Sequence, residues 1–265
     1  MEGMKNRMNQ PVSLKPMPIW ISLLFFGIPS LIITVGIYVG VPTLNRVGVP
    51  MFLNFTLFTA GPLVLMFVAA FVAYRLEGNP MSWAGVRERF RLKPLKGKDW
   101  LWTLGLVIVS VGGYVVLLPT AKWLASFPLF EPPPFLPPMV NPRVMEGGIP
   151  SDMLGLPLQG NWWVVVVYFL ILCFNIFGEE FWWRGYILPR QEMCHGKWTW
   201  LIHGVLWNLF HVFWKWNLIA LIVPTLSVSF VAYKLKNTTP GIIAHWIQNG
   251  LGLIMILLGV LGIAG

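Results

Sequence analysis

The sequence predicts an all-α, polytopic integral membrane protein of about seven transmembrane helices, with an eighth if the third apolar window and the stretch after it divide in two. Three observations carry this. Of 265 residues 56% are hydrophobic and only 11% are charged, against about 25% charged in an ordinary soluble domain. The charges are clumped, leaving uncharged windows near or above the ~20 residues that cross a bilayer as a helix. Lys and Arg fall in the connections between those windows, alternately many and few. The composition excludes a water-soluble enzyme. In a soluble chain the net charge of +9 would point to nucleic acid; here it reads as topology, with the lipid bilayer as partner and no nucleic acid. Cys173 in an apolar run and Cys194 in a polar turn make neither a disulfide framework nor a metal-binding pair.

In chain order the windows are residues 18–40, 51–74, 100–121, 161–178, 198–214, 216–233 and 237–265. The first is too long for a signal peptide, holds Pro29 and has no small-residue cleavage site, so it stays as a helix. The amino-terminal segment carries Lys5, Arg7 and Lys15, and the next connection only Arg46. Arg75, Arg87, Arg89, Arg91, Lys93, Lys96 and Lys98 crowd the third, whereas Lys122 and Arg143 in the fourth are balanced by Glu131, Glu146 and Asp152. Arg184, Arg190 and Lys197 follow the fourth window, Lys215 the fifth, Lys234 and Lys236 the sixth. By the positive-inside rule the amino terminus is cytoplasmic and the carboxyl terminus outside, in what is expected to be a prokaryotic plasma membrane. Residues 1–160 form a three-span region, and residues 161–265 a four-span core.

Two connections stand apart. Residues 127–143 hold too many prolines for helix or sheet and should run extended on the outer face. Residues 76–99 are basic with Trp83 and Phe90 interleaved, which suits a short helix on anionic headgroups or a solvated loop. Trp162 with Trp163, Trp182 with Trp183, and Trp198 with Trp200 read as interfacial belts. No internal repeat or inverted half is visible, which weighs against a transporter.

Charge inside the bilayer needs a reason, since each ionised side chain at mid-span costs at least about 2.5 to 3.5 kcal/mol. Glu179 and Glu180 end the apolar run VVVVYFLILCFNIFG, which then continues through FWWRGYIL with no helix breaker before Pro189. If that helix ends near Leu188, the glutamates lie roughly 14 Å above its cytoplasmic end; His211 comes out ~15 Å deep and His245 roughly 13 Å deep. A carboxylate and two histidines at one level, approached from the cytoplasmic side, would form a water-filled site. Arg184 is four residues after Glu180 and can pair with it, leaving Glu179 as the carboxylate free for chemistry. Asn249 shares a face with His245 and offers an amide to a developing oxyanion. Trp207, one turn before His211, is a flat wall, and Asn208 is the other polar neighbour. His195 and His203 read as packing or interfacial residues.

These residues are also where the sequence resembles a known family. GEEFWWRG contains EExxxR at Glu179, Glu180 and Arg184; WNLFH resembles the FxxxH element ending at His211; HWIQN gives HxxxN at His245 and Asn249. In this order, on successive late spans, they resemble the CPBP family of intramembrane proteases, which includes Rce1-type CAAX prenyl endopeptidases and proteins linked to bacteriocin processing and self-immunity. The resemblance covers residues 161–265, and Trp207 stands where the family pattern has Phe. It implies Glu179 as the general base that activates water, His211 as its assistant, and His245 with Asn249 as stabilisers of the oxyanion. No nucleophilic Ser or Cys and no cofactor are then needed. The substrate would be a prenylated CaaX-like tail or a hydrophobic leader peptide. A non-catalytic scaffold or immunity protein is the competing class. The competing mechanism is zinc held by Glu179, His211 and His245, two imidazoles and a carboxylate being a catalytic zinc set; against it, HExxH is absent and three separate spans would have to supply the ligands.

Overall fold

The computed structural model describes residues 14–145 and 147–263; Lys5, Arg7 and Glu146, counted above for topology, lie outside the described residues. The apolar windows become helices because backbone N–H and C=O groups in hydrocarbon have only each other as partners. Helix α1 is Ile19–Arg46 with a π turn at Gly36–Gly40, and α2 is Met51–Leu76. A short helix α3 (Trp83–Arg89) precedes α4 (Lys98–Leu117) and α5 (Pro119–Ala125). The motif-bearing part begins with α6 (Trp162–Glu179), which runs on through a π-helical segment, Glu180–Ile187, into α7 (Leu188–His195). Then come α8 (Thr199–Phe210), a 3-10 segment at His211–Asn217, α9 (Leu218–Leu235) and α10 (Thr239–Val260).

Among the described residues five helical runs are long and apolar enough to span a bilayer, where the windows predicted seven or eight. The difference arises because three windows fall in one 74-residue run, Trp162–Leu235. That run turns at Gly196 (φ +50) and at the non-helical Trp214, so that α8 packs on both α7 and α9. The fifth window is not one α-helix: α8 has 12 residues, about 18 Å, and the chain continues as the 3-10 segment His211–Asn217. Pro189, expected to end the fourth span, instead sits in the first turn of α7, where a missing N–H is tolerated.

Three further expectations are corrected. Residues 127–143 are not wholly extended, since two 3-10 turns form at Pro128–Phe130 and Pro138–Val140, each starting on a proline with φ already set. A hairpin of two-residue strands, Asp152–Met153 with Leu156–Pro157, follows, its turn made by positive φ at Leu154 and Gly155. Trp182 and Trp183 are not belt residues: both are buried, Trp183 stacked on Phe26 at 4.2 Å and Trp182 on Tyr186 at 5.3 Å. Trp162, Trp163 and Trp198 are exposed, as a belt requires.

The basic connection contains the expected short helix, with Trp83, Arg87, Lys93 and Lys96 exposed, but it is not a free loop, for Arg89 and Phe90 are buried. Arg89 pairs with Glu77 at 2.6 Å and donates to the Gly185 carbonyl at 2.8 Å. Phe90 stacks on Phe181 at 5.2 Å and its carbonyl accepts the Thr238 hydroxyl at 2.7 Å. Arg91 reaches Glu192 at 2.7 Å, and Lys236 joins the same carboxylate at 2.8 Å. Together these contacts close one end of the bundle beneath the π segment.

Candidate active site

The π segment sets the site. With i→i+5 bonds the helix widens, an uncommon geometry that recurs at functional positions, and here every residue from 178 to 189 is buried. Aromatic contacts of Phe181, Trp182 and Trp183 brace it on three sides. Gly178 lets α6 approach α2, since a Cβ there would lie 2.6 Å from the Leu63 carbonyl oxygen.

Glu180 and Arg184, four residues apart, form a fully buried ion pair with Oε1 to Nη2 at 2.9 Å. The guanidinium lies flat on Trp207, its Cζ 3.4 Å from the ring centroid. Among the described residues none of the three guanidinium nitrogens has a hydrogen-bond partner, so charge and stacking hold it in place. Glu180 also holds His245, whose Nδ1 lies 3.1 Å from the same Oε1 and donates to it. Gly241 leaves room for this carboxylate, because a Cβ there would meet Oε2 at 2.6 Å.

Glu179 faces elsewhere. Among the described residues it has no cation paired to it, but it is not free of partners, as the spacing alone suggested. Trp207 Nε1 donates to Oε2 at 2.7 Å and Asn175 Nδ2 to Oε1 at 2.8 Å. Trp207 is therefore a donor to the carboxylate as well as an aromatic wall. Asn175, one turn before Glu179, was missed in the sequence, although the same four-residue spacing that pointed to Arg184 could have found it. Its own Oδ1 accepts from Asn249 Nδ2 at 2.7 Å, tying Asn249 to Glu179 through one amide.

His211 closes α8, and its Nδ1 donates to the Trp207 carbonyl at 2.8 Å, which fixes the tautomer and leaves Nε2 with a lone pair. Glu179, His211, His245 and Asn249 all line one cavity of about 470 Å³, within the ~300–1,000 Å³ usual for ligand sites. Asn175, Gln248 and the aromatic residues Tyr168, Phe213 and Trp214 line it too. Glu180, Arg184 and Asn208 do not. Asn208 is buried with an unpartnered Oδ1, so its expected place beside His211 in the site is not what the structure shows. His203, as expected, packs inside the bundle, its Nδ1 2.6 Å from Gln191 Oε1. Among the described residues no three His, Cys, Asp or Glu groups form a metal-ligand cluster.

Residues 161–251, about a third of the chain, match the family model described as type II CAAX prenyl endopeptidase Rce1-like. The match spans all three motifs and supports a CPBP/Rce1-type intramembrane protease. No curated protein and no solved structure matches the chain.

Proposed function

We propose that this multi-pass membrane protein is an endopeptidase that cuts a peptide bond with water activated by Glu179. The observation that carries the proposal is the cavity shared by Glu179, His211, His245 and Asn249. Glu179 is a buried carboxylate held by two neutral donors, with no ion-pair partner among the described residues, and it faces the cavity. Glu179 takes a proton from water as that water attacks the scissile carbonyl. His211, with Nε2 unprotonated, assists in moving the proton towards the leaving nitrogen. Negative charge grows on the carbonyl oxygen. Asn249 has a second amide N–H beyond the one given to Asn175 and can donate to it, beside the His245 imidazole that Glu180 holds in place.

Trp207, where the family pattern has Phe, adds an indole N–H aimed at the base, a contact that Phe lacks. Glu180 and Arg184 act as positioning residues. In this reading Glu179 acts as the base, its oxygens oriented by Trp207 and Asn175, and no step is routed through zinc. We place the amino terminus in the cytoplasm of a prokaryotic cell on the charge alternation of the connections. The substrate is a hydrophobic leader peptide or a lipidated CaaX-like tail. Purified protein incubated with both kinds of peptide, with products identified by mass spectrometry, tests the reading. New termini in wild type that vanish in Glu179→Gln are expected; no product from any peptide would favour the scaffold or immunity protein.

A further inference from the structure

Most of the cavity lining lies on one side of the catalytic level, with Trp207 and Val228 reaching about a turn to the other. On α6 the lining runs back from Glu179 to Tyr168, roughly 16 Å along the helix. On α10 it runs forward from His245 to Asn249, and after α8 it continues past His211 to Phe213. It takes Leu221 from the first turn of α9, Phe55 from the first turns of α2, and Tyr114 from the last turn of α4. All these ends lie towards the connection that carries the Pro-rich segment, not towards the basic one. In the other direction the way is packed shut: residues 178–189 are buried, Arg89 donates to the Gly185 carbonyl, and Phe90 stacks on Phe181. The sealed end carries the seven Lys and Arg of the third connection, so by the positive-inside rule it faces the cytoplasm. Among the described residues the cavity lining includes neither Lys nor Arg, and the neighbouring Arg184 is buried against Glu180 and Trp207.

We infer that substrates reach Glu179 from the outer side of the membrane, and that they are uncharged hydrophobic peptides cut at an internal bond, not cytoplasmic tails ending near the scissile bond in a free carboxylate. This rests on the protease reading above and reverses the cytoplasmic approach expected from motif depth. Amide side chains at Asn175, Gln248 and Asn249 suit peptide backbone, and the aromatic walls suit apolar side chains. A terminal carboxylate would enter this chamber with no cation to meet it, at a cost of several kcal/mol.

The test separates access from catalysis. With Cys173 and Cys194 replaced by Ser, Thr59→Cys in the chamber and Lys96→Cys in the basic connection are treated with a charged, impermeant thiol reagent in sealed right-side-out and inside-out vesicles. Tyr114→Cys provides a second chamber position should Thr59→Cys fold poorly. The chamber cysteines should label from outside only and Lys96→Cys from inside only. In detergent, a signal-peptide-like substrate with a central scissile bond should exceed a CaaX-like tail with a free carboxylate by at least about tenfold in kcat/KM. No cleavage of either peptide in detergent would end the protease reading while the labelling still reports the chamber. Chamber labelling from the cytoplasmic side, outward labelling of Lys96→Cys, or preference for the free-carboxylate tail would overturn the inference.

Discussion

Glu179 and Glu180 are neighbours in sequence but are held by opposite chemistry. Glu180 balances a buried cation, so Glu180→Gln leaves Arg184 uncompensated and should cost about 3 to 5 kcal/mol of stability, read as lost folded yield and a lowered Tm. Glu179 meets only neutral donors. Glu179→Gln should therefore leave yield nearly intact while lowering hydrolysis by about 10² to 10⁴-fold; full activity in that variant would remove Glu179 from the chemistry. Asn175→Ala should lower kcat more than KM, because it unties Asn249 and Glu179 without touching the walls, and Asn175→Gln should not restore it. Protein stripped with a strong chelator should keep its activity, whereas loss on removal of one zinc per chain and recovery on its return would make Glu179 and both histidines ligands. Of these relations the sequence showed the Glu180–Arg184 pair, because one helical turn places it. The Trp207 bond to Glu179 was not legible, since it joins side chains from two helices whose rotation no local spacing reports.

At the scale of elements, the π segment and the α3 cap were hidden for different reasons. FWWRGYIL is apolar almost throughout, so no face stands out and an α turn cannot be told from a π turn by periodicity. The cap was hidden because Arg89 reads as solvated until Glu77 and the Gly185 carbonyl are seen beside it. Phe90→Ala should then cost about 3 to 5 kcal/mol, since it removes a buried ring from between Phe181 and Tyr74. The exposed Trp83→Ala should change thermal stability in detergent hardly at all. Gly241→Ala puts a methyl against the Glu180 carboxylate and should reduce activity more than yield, by displacing the His245 that Glu180 positions. An unchanged pH–rate profile in that variant, with wild-type kcat, would show that Glu180 does not orient His245.

Across the whole molecule, the division at residue 160 separates motifs from scaffold in sequence but not in the site. The motif half supplies every candidate catalytic group, yet Ile33, Phe55, Thr59, Leu63 and Tyr114 from the first half form part of the chamber wall. Composition and the positions of Lys and Arg made the membrane class legible; this closure of the cavity by distant spans was not, because it depends on helix order in the bundle. A fragment of residues 161–265 would lose the chamber walls of the first half and expose Glu179 to lipid, where an unshielded carboxylate is costly. The connection between halves is long, rich in proline and exposed at Gly147 and Gly148, a place where a cut is tolerated if the flanking elements hold together by packing. Co-production of residues 1–147 and 148–265 should therefore yield a complex that co-purifies and cleaves peptide within about tenfold of the intact chain, since the α4–α9 and α2–α6 packing survives the cut. The carboxyl-terminal piece produced alone should be inactive and degraded. Stable, active protein from residues 161–265 alone would mean that those helices close a chamber without the first three spans, contrary to the walls the structure gives it.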